Sequence, residues 1–191
     1  MTADIGTQKL IYHLSSFDNL PSILTRGLLP RAALAGFVDV ADPDIITDRR
    51  RFQLEKYVPF HFFAKNPFDG RVQRDHPKKR FILISVRREV ARSNGWKIIP
   101  RHPLAGDDIQ VLEYDVGMEA IDWNAMNRRD YADQYSKCVC MAECISPRPV
   151  TPSLFHSIYV KDDASEAHVR GLLDGTGSSP YVDANPTMFS K

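Results

Sequence analysis

The 191-residue chain carries 43% hydrophobic residues and a net charge of +1, enough apolar material to close the core of one domain spanning residues 1–191. It holds no run of eighteen apolar residues, and residues 1–9 lack the cationic and apolar regions of a signal peptide, so a soluble, cytoplasmic protein with no membrane contact is expected. Three cysteines, Cys138, Cys140 and Cys144, crowd into seven positions with no matching fourth ligand nearby, which speaks for reduced thiols and against a disulfide framework or a metal site.

In chain order, residues 10–15 read as a strand. Asp18 then caps a short helix with Pro21 in its first turn and Gly27 at its end. Residues 28–48 show no strong period and form an irregular segment long enough to be functional. Residues 58–63 predict an aromatic strand with Pro59 near its start, and residues 66–79 a polar, basic loop. The clearest buried strand is 81–86, and 96–99 is a second candidate. A loop over 101–106 and one or two polar helical turns over 123–135 follow. Residues 137–145 alternate enough for a strand, ended by Pro147 and Pro149. A strand over 157–160 and a helix over 164–173, closed by Gly175, complete a mixed α+β domain.

The near-zero net charge hides an asymmetry. Residues 49–101 hold fifteen Lys or Arg against four Asp or Glu, leaving ten against twenty elsewhere. Such a basic segment suits a polyanion-binding groove, and it equally suits a solvated cationic face paired with the acidic remainder. Glu143 sits in an otherwise apolar and sulfur-bearing stretch. It either faces solvent from an edge strand or faces a cleft, where a fixed carboxylate can hold a sugar hydroxyl and stabilise an oxocarbenium-like transition state. Arg49, Arg50 and Arg51 form a triplet that is either a solvated turn or a phosphate grip. His13 and His102 are individually unspecific, and two of Phe60, His61, Phe62 and Phe63 can face away from the core to stack on a ring.

Read together, several blocks carry a resemblance. Residues 11–24 with Gly27-Leu28-Leu29, then Arg49-Arg50, residues 57–62, Arg101-His102, Ile121-Asp122-Trp123 and Ala142-Glu143 resemble, in order, the DarT DNA ADP-ribosyltransferases. The likeness runs from about residue 10 to Phe189. It implies a compact ADP-ribosyltransferase fold with two small packed sheets and flanking helices, and a cleft for NAD⁺ between the sheets. It further implies that His13, Ser15, Ser22, Leu29 and Arg50 contact NAD⁺, that residues 31–52 cover it, and that residues 102–143 recognise the substrate. Glu143 matches the catalytic glutamate and Arg50 a second catalytic residue, for which phosphate positioning suits a permanently charged guanidinium better than proton transfer. Arg49, His61, His102, Arg128, Arg129 and the basic 71–88 stretch are then candidates for single-stranded DNA.

The implied partners of this monomer are single-stranded DNA and a macrodomain antitoxin, with NAD⁺ as co-substrate and no metal. The chain lacks the Pro- and Gly-rich insertion before residue 57 of thymine-modifying members and differs from them over 101–118, so the acceptor base is guanine or thymine, with a slight lean to guanine. An acceptor in RNA or protein, or a non-catalytic nucleic-acid-binding domain, are the competing readings.

Overall fold

A computed structural model describes residues 4–34, 37, 50–102 and 109–190. Its centre is one mixed eight-stranded sheet in the order β5-β4-β6-β2-β1-β3-β7-β8. The strands are β1 Leu10–Ser16, β2 Val58–His61, β3 Phe81–Arg87, β4 Lys97–Ile99, β5 Leu112–Glu113, β6 Glu143–Ser146, β7 Ser157–Val160 and β8 Tyr181–Ala184. All neighbours are antiparallel except β7 and β8.

The expected pair of sheets is thus corrected to one, but the reason for a cleft survives. Strand β1 pairs with β3 along its whole length, from Leu10 opposite Arg87 to Ser16 opposite Phe81, whereas it meets β2 in register only at Tyr12 and His61. The two four-stranded halves are hinged at that point, and beyond it the edges of β1 and β2 diverge. One side-chain bond adds to the junction: the His13 Nδ1–H donates to the Pro59 carbonyl at 2.7 Å.

Seven helices lie wholly within the described residues: α1 Leu20–Arg26, α2 Pro67–Asp75, α3 Arg88–Ser93, α4 Tyr114–Ala120, α5 Trp123–Arg128, α6 Gln134–Val139 and α7 Asp163–Leu173. Helix α1 ends at Gly27, whose φ of +81° suits a residue without a Cβ, and a Cβ there would stand 2.5 Å from the Val150 carbonyl oxygen. Asp18 does not cap this helix: it lies in a 3-10 turn, Phe17–Asn19, whose cap is the Ser16 hydroxyl.

Two further expectations change. The loop expected over 66–79 contains α2, because the Asn66 side chain caps the Asp69 N–H, Pro67 stands in the first turn, and Val72 is buried against Leu14, Phe81, Leu83 and Phe189. The strand expected over 137–145 divides into α6, capped by Asp133 on the Tyr135 and Ser136 N–H groups, and the shorter β6. The alternation in 137–141 is therefore the wall of a helix end. One face of the sheet packs the main core, with Ile11, Phe60, Ile84, Ile98 and Cys144 fully buried. The other face carries two smaller clusters, one around Leu14 and Phe81 and one of Leu54, Ile99 and Ile145. No helix among the described residues is long and apolar enough to cross a membrane.

Candidate active site

A cleft of about 290 Å³ opens where β1 and β2 part. Period-two alternation brings His61 and Glu143 into it. Tyr12 stands opposite His61, His61 opposite Glu143, and Glu143 opposite Ile99, so these four side chains form one row across β1, β2, β6 and β4 on the same face. Glu143 is 4% exposed and lines the cleft, which settles its orientation against the solvent-facing alternative. His61, 5% exposed, donates Nδ1–H to the Ala142 carbonyl at 3.2 Å and packs its ring 5.4 Å from that of Phe68. Because the acceptor is a carbonyl, Nδ1 carries a proton.

The opposite wall comes from β1 and α1. His13, Leu14 and Ser15 reach it from the strand, and Ser22, Ile23 and Arg26 from the helix. Two pairs four residues apart organise the polar atoms: Asn19 Nδ2 donates to Ser15 Oγ at 3.3 Å, and Arg26 donates to Ser22 Oγ from Nε at 3.1 Å and Nη2 at 2.7 Å. The Ser22 hydroxyl thus accepts twice from a guanidinium, which directs its own hydrogen outward. Leu28 and Leu29 follow, with Leu28 anchored to Val150 by reciprocal backbone bonds of 2.9 Å. A third side is formed by Leu54, Glu55 and Tyr57, ahead of β2.

Of the residues singled out in the sequence, His13, Ser15, Ser22, Leu29, His61, His102 and Glu143 all line this cleft. His102 is 5% exposed, and its N–H bonds the Cys138 carbonyl at 2.9 Å, so the end of α6 fixes it. Arg50 is exposed on a short helical turn and is not among the cleft-lining residues. Arg49 lies outside the described residues, as does most of the expected covering segment. Arg128 is exposed at the end of α5, and Arg129 is half-buried with its guanidinium 4.7 Å from the Phe63 ring centroid. Arg88 leaves the basic stretch altogether. It is 7% exposed and donates to the carbonyls of Ile5, Gly6, Leu10 and Phe62. Burial pulls its pKa below the ordinary guanidinium value.

Sequence reasoning missed Arg26, Arg31, Glu55 and Tyr57, all of which line the cleft. For Arg26 a signal existed, since the four-residue step from Ser22 puts both on one helix face. Glu55 and Tyr57 carried none, because a 3-10 turn, Leu54–Lys56, decides which way they face.

This eight-stranded α+β arrangement is a DarT-like fold. A DarT from Thermus sp. 2.9 solved in complex with ADP-ribosylated ssDNA superposes with a TM-score of 0.81 at 17% identity, covering 95% of this chain and 96% of that one. The same organism's DarT in complex with NAD⁺ gives 0.77 at 16% identity, covering 96% and 98%. The family model described as "ssDNA thymidine ADP-ribosyltransferase, DarT" matches residues 12–190, and the chain belongs to that family. A curated relative from Thermosipho africanus (strain H17ap60334), a DNA ADP-ribosyl transferase–DNA ADP-ribosyl glycohydrolase fusion protein, is 24% identical over 200 residues, covering 94% of this chain. The chain spans about half of that relative's length, 49%.

Proposed function

We propose that this chain transfers ADP-ribose from NAD⁺ to thymidine in single-stranded DNA and releases nicotinamide. Family membership supports the reaction class, and its description favours thymine over the guanine to which the sequence leaned. The observation that carries the assignment is Glu143, a carboxylate held at 4% exposure in the wall of a cleft. Cleaving the nicotinamide–ribose bond builds positive charge on the ribose. A carboxylate already desolvated and fixed by the sheet on both flanks meets that charge without reorganising, and so stabilises the transition state more than the ground state.

In this reading His13, Ser15, Ser22 and Leu29 line the dinucleotide, with Arg26 presenting charge next to Ser22 for the diphosphate. Arg50, exposed and off the lining, serves NAD⁺ phosphate from the rim; it is not a base. His61 and His102 meet the incoming nucleotide. Arg49, Arg128 and Arg129 contact the strand's phosphates, so binding weakens as salt rises. The macrodomain antitoxin remains part of the proposal, supported by a relative in which a transferase is fused to a DNA ADP-ribosyl glycohydrolase.

The test is incubation of the protein with labelled NAD⁺ and, in parallel, single-stranded DNA, RNA or protein. Label transferred to DNA supports the proposal. Transfer to RNA or protein alone moves the acceptor, and salt-sensitive oligonucleotide binding with no nicotinamide release would reduce the chain to a binding domain.

A further inference from the structure

Thymine offers one ring nitrogen that is not bonded to its sugar, N3, and that nitrogen carries a proton. Bond formation to the ribose carbon therefore has to shed it, and an arginine, charged at every accessible pH, is a poor acceptor. Glu143 is committed to the ribose side of the reaction in the reading above. A second carboxylate stands in the same cleft: Glu55 lines it, and its Oε2 is buried without a hydrogen-bond partner among the described residues. A buried carboxylate oxygen left without a donor is costly, so it points to a donor that arrives with a ligand.

The placement of Glu55 is not accidental to the fold. Leu54, 1% exposed, is clamped between Ile99 and Ile145. Ile99 is the register partner of Glu143 on β4, and Ile145 is two residues along β6 from Glu143, so all three share the face that carries the row of His61 and Glu143. The chain enters this turn through Gln53 at φ +56° and leaves it through Tyr57 in extended conformation, also against the cleft. The neighbouring Lys56 is turned to Gln53, which it bonds at 2.8 Å, so no bond draws it to Glu55. Glu55 thus follows a residue packed on the two strands that flank and carry Glu143, and the two carboxylates line one cleft.

We propose that Glu55 is the proton acceptor for the target base; this rests on the reading that the chain modifies thymidine. The step balances without a further reagent. The nicotinamide–C1′ bond breaks with its electron pair leaving on nicotinamide, the N3 pair forms the new bond to C1′, and the N3 proton passes to a Glu55 carboxylate oxygen and then to water. Arg50 and Glu143 keep the roles given above.

The experiment measures single-turnover transfer to a thymidine-containing oligonucleotide for the wild type, Glu55→Gln and Glu55→Asp, together with NAD⁺ affinity and a rate profile from pH 6 to 9. Wild-type transfer is the entry condition; its absence sinks the proposed function and not the role of Glu55 specifically. Glu55→Gln is expected to lose on the order of 100-fold in rate while holding NAD⁺ within threefold, to recover steadily as pH rises and hydroxide replaces the lost base, and to be partly restored in Glu55→Asp. Formate should also raise the rate of Glu55→Ala, a readout that does not depend on the glutamine variant folding well. A Glu55→Gln rate within twofold of wild type overturns the proposal. So does a loss confined to NAD⁺ affinity, which would make Glu55 a co-substrate ligand.

Discussion

His61 and Glu143 stand directly opposite each other across β2 and β6, both buried and both on the cleft face of the sheet. The backbone of each strand holds the other in place, so the ring and the carboxylate are neighbours by register and not by a flexible loop. Replacing Glu143 by the near-isosteric Gln removes the charge while keeping the packing. Transfer activity is expected to fall by roughly 10²–10⁴-fold with little change in thermal midpoint, as measured by labelled NAD⁺ transfer and calorimetry on the same sample.

His61 itself bridges strand ends by giving its Nδ1–H to Ala142, the residue before Glu143. His61→Ala leaves that carbonyl without its donor and removes the ring packed on Phe68. Denaturant unfolding should show a loss of about 2 kcal/mol or more, the scale set by one buried hydrogen bond and a small cavity. An unchanged midpoint would mean that the Ala142 contact does not stabilise the junction.

Gly27 couples the helix lining the cleft to the chain that follows β6. Its left-handed φ and its approach to Val150 leave no room for a side chain. Gly27→Ala is expected to destabilise the fold by about 1–3 kcal/mol and to weaken NAD⁺ binding, since Leu28 and Leu29 would move with it. Gly95 has a similar φ of +64° but open space around it, so Gly95→Ala should cost less; equal losses would show that backbone strain, not the Val150 contact, dominates.

Asp69, which follows the cleft-lining Phe68, makes stability depend on pH. It is 1% exposed, one of its oxygens meets no partner among the described residues, and burial pushes its pKa up to about 8 despite bonds from Asn66 and Lys65. The folded state therefore binds this proton more tightly than the unfolded state, where an aspartate titrates near 4. Stability contributed by the neutral form is full below about pH 4 and declines as pH rises to about 8, above which it is flat. Asp69→Asn should flatten that slope in chemical unfolding from pH 5 to 9. A slope identical to wild type would place the titration elsewhere.

What could be read from the sequence was local. The β1 strand, the helix stopped by Gly27 and the apolar run of β3 each declare themselves through alternation, a helix stop or continuous hydrophobicity, and the structure has them where expected. Helix α2 hid because Val72 is its one large apolar side chain that is buried, set among the polar Asp69, Arg71, Gln73, Arg74 and Asp75. Helix α6 hid because its last residues, Cys138 and Val139, run straight into the equally buried Cys140, Met141 and Ala142, so the stretch into β6 reads as one apolar strand. The joining of two half-sheets into one rests on a single register pair, Tyr12 with His61, which no local pattern encodes. The site divides in the same way. Motif residues such as His13, Ser15 and Glu143 were legible, while Glu55 owes its place to the packing of Leu54 against two strands distant in sequence.

Mass spectrometry shows whether Glu143 drives NAD⁺-dependent modification of a DNA base. Mixed-sequence single-stranded oligonucleotides would be incubated with NAD⁺ and either the wild type or Glu143→Gln. One added ADP-ribose on a thymidine is expected with the wild type, and no adduct above background with the variant. An adduct formed equally well by Glu143→Gln, or none formed by the wild type with any oligonucleotide, would contradict it.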